Sequence, residues 1–175
     1  MRVGLLGGSF NPPHEGHLHV ADTARNALGL HKVVWLVSPQ NPLKGTVETA
    51  PQADRISAVR RLARPPVNAV TGIEADLGSP YTVDTLAWLR RRWPSVRFFW
   101  LMGSDNLMGL TRWRRWRDLP RLVEVAVAPR PGSSVRGRLA PGGRLLARSG
   151  RARFLEAPFN MASSTKLRER AKARL

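Results

Sequence analysis

The sequence contains no cysteine, a single tyrosine and only 12 acidic residues, against 29 lysines and arginines in 175 residues. Without cysteine, disulfide bonds and thiolate-bound metals are excluded. The four histidines show no zinc-ligand pattern, so no metal-ligating residue is predicted. No apolar run is long enough to span a membrane, and the N-terminus does not resemble a signal peptide. We therefore expect a cytoplasmic protein with no membrane partner, folded as a single domain over residues 1–175.

Acidic residues are scarcest in the second half of the chain. Residues 1–85 hold 8 basic and 7 acidic side chains, whereas residues 86–175 hold 21 and 5. A field of this sign attracts polyanions, so a basic RNA-binding protein is one interpretation. Because no nucleic-acid-binding motif accompanies the charge, we favour a solvated basic surface and expect no specific nucleic-acid partner.

The stretch Gly7–His17 reads Gly-Gly-Ser-Phe-Asn-Pro-Pro-His-Glu-Gly-His and lies between a predicted buried strand and a predicted amphipathic helix. Gly7 and Gly8 permit positive φ and let a ligand approach the main chain closely. His14 and His17 are three residues apart at the helix start, so they lie on one face. Helix-start amides, the helix dipole and two imidazoles converge there, which predicts a phosphate-binding turn.

Apolar runs typical of strands alternate with helical patterns along the chain. The strand candidates are Val3–Leu6, Val33–Val37, Val67–Ile73, Val96–Met102, Val123–Ala128 and Arg153–Ala157. The helical patterns run to Leu28 with Gly29 as cap, over Pro51–Ala63, from an N-cap at Ser79 to Trp93, over Leu107–Leu122 and over Lys166–Arg174. This alternation predicts an α/β fold, a Rossmann-like doubly wound parallel sheet with helices on both faces. Ligands bind at the carboxyl ends of strands in such sheets.

Two segments are predicted to lie at the surface. Residues 129–149 are rich in glycine, proline and arginine, so they are expected to form an exposed loop. In the second helical pattern, Arg55, Arg60 and Arg61 are expected mostly on the outer face, opposite the apolar positions.

Three motifs resemble those of one enzyme superfamily. The turn resembles the GxFxPxHxGH signature of the nucleotidylyltransferases, Gly103-Ser104-Asp105 resembles their GxD element, and Ala162–Arg168 resembles their ISSTxIR element. Within that superfamily, Ser79–Leu86 is similar to the SYTxxTL segment of the bacterial nicotinate mononucleotide adenylyltransferases. Trp113, eight residues after Asp105, belongs to the same pattern. The resemblance spans nearly the whole chain.

The resemblance implies an adenylyltransferase that joins ATP and nicotinate mononucleotide to give deamido-NAD and pyrophosphate in NAD biosynthesis, with Mg²⁺ bridging the phosphates. The attacking phosphate is already an anion, so catalysis reduces to positioning and charge neutralisation. The catalytic residues implied are His14, His17 and Arg168. The implied ATP-binding residues are Gly7, Gly8, Ser9, Phe10, His14, His17, Gly103, Asp105, Ser164, Thr165 and Arg168. The implied mononucleotide-binding residues are Ser9, Lys44, Tyr81, Thr82, Thr85 and Trp113.

Several of these residues also have a plain structural interpretation. Asp105 either accepts hydrogen bonds from ribose hydroxyls or caps a helix. Trp113 is favoured as a stacking face for the pyridine, whereas Trp116 is favoured as a core aromatic. For Lys44, a contact to substrate phosphate and a solvated loop lysine are equally supported.

Selectivity for the acid mononucleotide is predicted to come from a helix start. The first-turn amides of Tyr81, Thr82 or Val83 lack intrahelical partners, and the Thr82 and Thr85 hydroxyls can donate as well. The alternatives are a sister enzyme acting on nicotinamide mononucleotide or phosphopantetheine. The expected assembly is a monomer or a homodimer.

Overall fold

The computed structural model describes residues 1–39 and 49–158. Within them, six parallel strands form one sheet in the order β3-β2-β1-β4-β5-β6. The strands are β1 (Arg2–Gly8), β2 (Lys32–Val37), β3 (Asn68–Thr71), β4 (Arg97–Gly103), β5 (Glu124–Ala128) and β6 (Ala152–Phe154). The predicted doubly wound sheet is confirmed. Its order reverses between β1 and β4, the point at which such sheets form a ligand crevice.

The helices in these residues cover both faces of the sheet. They are α1 (Glu15–Leu28), α2 (Gln52–Leu62), α3 (Ile73–Asp76), α4 (Thr82–Arg92), α5 (Asn106–Gly109), α6 (Leu119–Leu122), α7 (Ser134–Leu139) and α8 (Pro141–Arg148). One apolar core joins α1 and α2 to the sheet, and a second joins α4, α5, α6 and α8 to the other face. Because the strands are buried on both faces, they read as continuous apolar runs. None of these helices is long and apolar enough to cross a membrane.

The first helix begins and ends where the sequence predicts. Gly29 adopts the left-handed conformation at φ 59°, and its amide donates to the Arg25 carbonyl. Ala21 and Ala24 are fully buried against the sheet. Since these side chains are small, α1 packs close to β4 and β5, and its N-terminus lies at the carboxyl end of β1.

The predicted exposed loop over residues 129–149 is wrong, because two helices fill most of it. Pro141 opens α8 at a position where a missing amide costs nothing, and Leu146 is completely buried. The glycines allow close packing here: a Cβ at Gly143 would collide with the carbonyls of Gly137 and Arg138. Glycine content therefore signals helix contact in this segment rather than a loop.

The fourth helix starts later than predicted, with Tyr81 in place of Ser79 at the N-cap. The Ser79 hydroxyl instead donates to the Asp84 carboxylate at 2.8 Å and accepts from the Tyr81 amide at 3.4 Å. The short helix α3 was not predicted at all. It places Glu74 in the interior, with 5% of its surface exposed.

Arg55 is buried, which corrects its predicted position on the outer face of α2; its exposed fraction is 2%. Its guanidinium donates to four main-chain carbonyls: Ser9 and Ser38 from Nη1, Pro39 from Nη2 and Ala50 from Nε, all within 2.7–2.8 Å. Burial lowers the pKa of this guanidinium. The cation thus joins the turn after β1 to the residues that flank positions 40–48.

Candidate functional site

A cavity of about 670 Å³ opens at the carboxyl ends of β1 and β4, where the sheet order reverses. It brings together three separately predicted segments: the turn after β1, the Gly-Ser-Asp loop after β4 and the start of α4. The predicted site residues that line it are Gly7, Gly8, Ser9, Phe10, His14, His17, Tyr81, Thr82, Gly103, Asp105 and Trp113. Lys44, Ser164, Thr165 and Arg168 lie outside the described residues.

The two histidines of the turn accept hydrogen bonds from main-chain amides at the start of helix α1, and their rings stack on each other. His14 is the N-cap residue, and its Nδ1 accepts from the Gly16 amide at 3.0 Å. The Nδ1 of His17 accepts from the His14 amide at 3.2 Å, and the two rings stack with centroids 3.8 Å apart. A neutral imidazole that accepts at Nδ1 carries its proton on Nε2. Both rings are therefore set as Nε2–H donors.

Burial keeps His14 neutral. Desolvation, and secondly the positive charge of Arg130, lower the pKa of His14 from 6.5 to about 4. At neutral pH this ring therefore offers a hydrogen-bond donor to an anion without carrying a full charge of its own.

Gly7 and Gly8 line the cavity but do not use the positive φ that glycine permits. Positive φ occurs at Phe10, at 46°, and not at Gly7 or Gly8. A Cβ on Gly7 would collide with the Trp100 ring, and one on Gly8 would lie 3.2 Å from the Phe10 ring. The Phe10 side chain is itself buried and packs edge-on against His17, with centroids 4.9 Å apart. The glycines thus make room for two aromatic rings: Trp100 beside Gly7, and beside Gly8 the Phe10 ring that packs against His17.

The loop after β4 is held by buried hydroxyls. Ser104 is 3% exposed; its Oγ accepts from the Arg130 amide at 3.0 Å and lies 2.9 Å from the Ser133 Oγ. This fixes Arg130 beside Asp105, with Nε 3.9 Å from the carboxylate Oδ1. Asp105 occupies the N-cap position of α5, as the helix-cap interpretation predicts, but its carboxylate accepts no hydrogen bond from the amides of that helix. The half-exposed carboxylate lines the cavity and remains available to a ligand hydroxyl.

Three arginines that line the cavity were missed from the sequence: Arg112, Arg114 and Arg130. Arg130 was assigned to an exposed loop, yet only 12% of its side chain is exposed. A usable signal existed, because Arg130 comes two residues after the carboxyl end of β5, and that edge of a parallel sheet holds the ligands. The Arg114 guanidinium lies over the Tyr81 ring, 4.6 Å from its centroid.

Aromatic side chains form the opposite side of the cavity. Trp113 is half-buried and meets Trp100 edge to face, with centroids 6.1 Å apart. Trp116 packs against the core cluster on the same side of the sheet and is absent from the cavity lining. Trp113 packs against the same cluster but also lines the cavity, so the stacking role predicted for it stays a prediction.

Thr85 does not reach the cavity, which corrects the prediction that its hydroxyl contacts a ligand. The side chain is fully buried, and its Oγ1 lies 3.3 Å from Glu74 Oε1 and 3.5 Å from the Tyr81 carbonyl. Glu74 lines the cavity instead. Desolvation raises the pKa of Glu74 to about 7, although the Thr85 hydrogen bond acts in the opposite direction.

The first turn of α4 offers main-chain donors. The Tyr81 amide is bonded to Ser79, whereas the amides of Thr82 and Val83 donate to no other described residue. Those two amides, rather than that of Tyr81, are the ones available to an anion. In the ranges 1–39 and 49–158, no three His, Asp or Glu side chains cluster closely enough to hold a metal ion.

Comparison with known proteins identifies what this chain is similar to. The model of the cytidylyltransferase-like family matches residues 5–170. A protein of Caulobacter sp. (strain K31), named as a nicotinate-nucleotide adenylyltransferase, is 50% identical over 97% of this chain and 98% of its own length. A protein of Cereibacter sphaeroides with the same name is 54% identical over 82% of this chain and 76% of its own.

Solved structures agree at the level of the fold. Two structures of Plasmodium falciparum nicotinic acid mononucleotide adenylyltransferase, one complexed with APC and one with NaAD, match with TM-scores of 0.76 and 0.77. Each match covers 96% of this chain and 82% of the other, at 16% and 17% identity. At such identities the likeness establishes a shared architecture.

Proposed function

Because the chain belongs to the nicotinate-nucleotide adenylyltransferases, within the cytidylyltransferase-like family, we propose that its cavity binds ATP together with nicotinate mononucleotide. The enzyme joins them into nicotinate adenine dinucleotide and releases pyrophosphate, a step of NAD biosynthesis. The observation that carries the proposal is that one cavity is lined both by the turn with the two histidines and by Tyr81 and Trp113. Its volume lies within the usual range for small-molecule sites.

The reaction is an in-line displacement at phosphorus. A phosphate oxygen of the mononucleotide forms a bond to the α-phosphorus of ATP, and the bond to the bridging oxygen of the leaving pyrophosphate breaks. No proton has to be removed from the nucleophile, since it is already an anion. The protein then contributes alignment and stabilisation of negative charge.

The half of the cavity formed by the Gly7–His17 turn and Arg130 is called the phosphate end here. The Nε2–H groups of His14 and His17 would donate to α- and β-phosphate oxygens, and the start of α1 adds its dipole. Gly7, Gly8, Ser9, Phe10 and Gly103 would border ATP mainly through the main chain. By resemblance, Ser164, Thr165 and Arg168 would bind the outer phosphates and Lys44 the mononucleotide phosphate.

The half formed by Glu74, Tyr81, Thr82 and Trp113 is called the pyridine end. Trp113 would stack on the pyridine ring, and the Thr82 and Val83 amides would bind its carboxylate at the start of α4. Asp105 lies beside Arg130 in the cavity lining and would accept from ribose hydroxyls. Arg130 would hold that carboxylate in place.

Magnesium would enter as part of the ATP substrate. The described residues offer no cluster of carboxylates, and Asp105 is already paired with Arg130. Phosphate oxygens and water are therefore the ligands that suit the ion here. When bound, Mg²⁺ would neutralise phosphate charge, and the side chains above would keep the phosphates aligned.

We further propose one nucleotidylyltransferase domain over residues 1–175, acting in the cytoplasm as a monomer or homodimer on small-molecule substrates. Pyrophosphate release tests the function directly: the purified enzyme is given ATP with nicotinate mononucleotide, nicotinamide mononucleotide or phosphopantetheine. We expect rapid release with the first and release at least tenfold slower with the second. Release with phosphopantetheine alone would assign the sister activity, and no release with any acceptor would favour the basic RNA-binding alternative.

A further inference from the structure

A carboxyl group of the protein lies at the place where the substrate carboxylate is proposed to bind. Glu74 is 95% buried and lines the pyridine end with Tyr81 and Thr82. The Thr85 hydroxyl lies within hydrogen-bond distance of both Glu74 Oε1 and the Tyr81 carbonyl. The Glu74 carboxyl therefore packs against the first turn of α4, whose unbonded amides are the proposed anion site.

Two carboxylates at this site cannot both be ionised without a large cost. Like charges in a shared, poorly solvated site raise the proton affinity of one partner. Thr85 can donate one proton, and it is the single hydrogen-bond partner of Glu74 among the described residues. Burial has already brought the pKa of Glu74 to about 7, so adding a proton near neutral pH costs little.

We propose that Glu74 is a specificity-determining residue, which takes up one proton from solvent when nicotinate mononucleotide binds and donates it in a hydrogen bond to the substrate carboxylate. The proton returns to solvent when the dinucleotide leaves, so the reaction itself is unchanged. The inference rests on the proposed function. A carboxamide needs no such proton, because its NH₂ group donates to an ionised Glu74. Preference for acid over amide must then fall as pH rises.

Other ionisable groups surround Glu74 but act on both mononucleotides. On α3, on the start of α4 and around the cavity they are Asp76, Tyr81, Asp84, Arg112, Arg114, His14, His17, Asp105 and Arg130. On β2, which α3 also contacts, Lys32 lies at the amino end, away from the cavity. The phosphate of the substrate is common to both mononucleotides as well. The ratio of their kcat/KM values therefore cancels these contributions and isolates the pyridine substituent.

The test measures that ratio by pyrophosphate release from pH 6 to 9. In the wild-type enzyme we expect the acid/amide ratio to fall about 15-fold between pH 7 and 8.5, with a slope that approaches about tenfold per pH unit at higher pH. Glu74→Gln, which cannot ionise and still donates through its amide, should keep a ratio that is independent of pH. Asp76→Asn is the matched control, since this carboxylate is exposed on the same helix; it should retain the wild-type pH response.

Calorimetry measures the proton itself. Nicotinate mononucleotide is titrated at pH 8 into the enzyme with a non-reactive ATP analogue, in two buffers of different ionisation enthalpy. About nine-tenths of free Glu74 is ionised at that pH, so we expect uptake of nearly one proton in the wild type and none in Glu74→Gln. Uptake that persists in Glu74→Gln overturns the proposal.

The outcomes separate this inference from the function on which it rests. A wild-type ratio that is constant with pH, with rapid release from the acid substrate, overturns the role of Glu74 and leaves the activity intact. Failure to turn over either mononucleotide overturns the proposed function. If thermal melting shows that Glu74→Gln is unfolded, the wild-type ratio and proton uptake still decide the matter.

Discussion

Each end of the cavity contains a buried ionisable side chain, and burial shifts the pKa values of these two side chains in opposite directions. At the phosphate end, burial lowers the pKa of His14 to about 4. At the pyridine end, burial raises the pKa of Glu74 to about 7. In each case desolvation disfavours the charged form. His14 therefore stays neutral across the physiological range, whereas Glu74 changes charge within it, so substrate choice can vary with pH while the charge of His14 at the phosphate end does not.

We expect the largest change in activity from a substitution at the phosphate end. His17→Ala removes an Nε2–H donor, and loss of one preorganised donor typically lowers kcat by about 100- to 1000-fold. The KM for ATP should change much less, because the donor acts mainly in the transition state. Steady-state kinetics measures both, with His31→Ala as control, since His31 is exposed and bonded to the Arg2 amide. A near wild-type kcat would remove His17 from the mechanism.

The opposite pKa shifts of His14 and Glu74 should also change how the free energy of unfolding depends on pH. Folded His14 binds fewer protons than the unfolded chain between pH 4 and 6.5, so stability is lost as pH falls through this window. Folded Glu74 binds more protons than the unfolded chain between pH 4.5 and 7, so stability is lost as pH rises. The two contributions cancel between pH 4.5 and 6.5 in the wild type.

Substituting either group should expose the contribution of the other. Relative to wild type, Glu74→Gln should gain about 2–3 kcal/mol of unfolding free energy between pH 4.5 and 6.5. His14→Asn, which retains a good N-cap, should lose a similar amount over the same interval. Urea unfolding followed by circular dichroism at several pH values measures this. Parallel curves for the three proteins would contradict both shifts.

Removing one main-chain donor tests the pyridine end alone. Thr82 is the first residue of α4, and Tyr81 before it is extended, so proline is sterically acceptable there. Thr82→Pro should lower the acid/amide ratio of kcat/KM by about 10- to 150-fold, since a hydrogen bond to a charged group contributes about 1.5–3 kcal/mol. Thr82→Ala keeps the amide and is the matched control. Equal ratios in the two variants would assign selectivity to the side chain.

We expect the smallest effect from a substitution of Arg55, whose guanidinium is bonded to the Ser9 carbonyl in the turn of the phosphate end. Arg55→Lys offers three donors on a compact ammonium where the guanidinium serves four carbonyls. At least one buried carbonyl loses its partner, so we expect a loss of about 1–3 kcal/mol in the free energy of unfolding. Arg60→Lys, on the exposed side of the same helix, should change it by less than about 0.5 kcal/mol. Similar losses in the two variants would contradict the role of the buried cation.

A structural feature can be predicted from the sequence when residues close to it in the chain determine it. His14 and His17 are three residues apart at a helix start, so spacing alone puts both rings on one face of α1. The six strands are also local signals, being short apolar runs between turns. Predicted strand ends differ from the structure by up to three residues, because strand pairing decides where the ladder stops.

Residues whose surroundings are assembled from distant segments were missed. Arg55 looks like an outward-facing arginine until Ser9, Pro39 and Ala50 are brought around it. Glu74 stands in a four-residue helix whose burial depends on α4 and β2. Arg130 depends on the Ser104 hydroxyl, 26 residues earlier in the chain. The helical period and the composition of a segment do not indicate its contacts with distant segments.

The buried guanidinium of Arg55 does in this cysteine-free chain what a crosslink does elsewhere. It binds Ser38 and Pro39 on one side and Ala50 on the other, so the residues that flank positions 40–48 are held together in the native fold. Bringing two such residues together costs conformational entropy that grows only slowly with the number of residues between them. Folding of α2 meets that cost before any substrate arrives. A change of a few residues in the length of the chain between Pro39 and Ala50 should therefore leave the thermal stability of the sheet nearly unchanged.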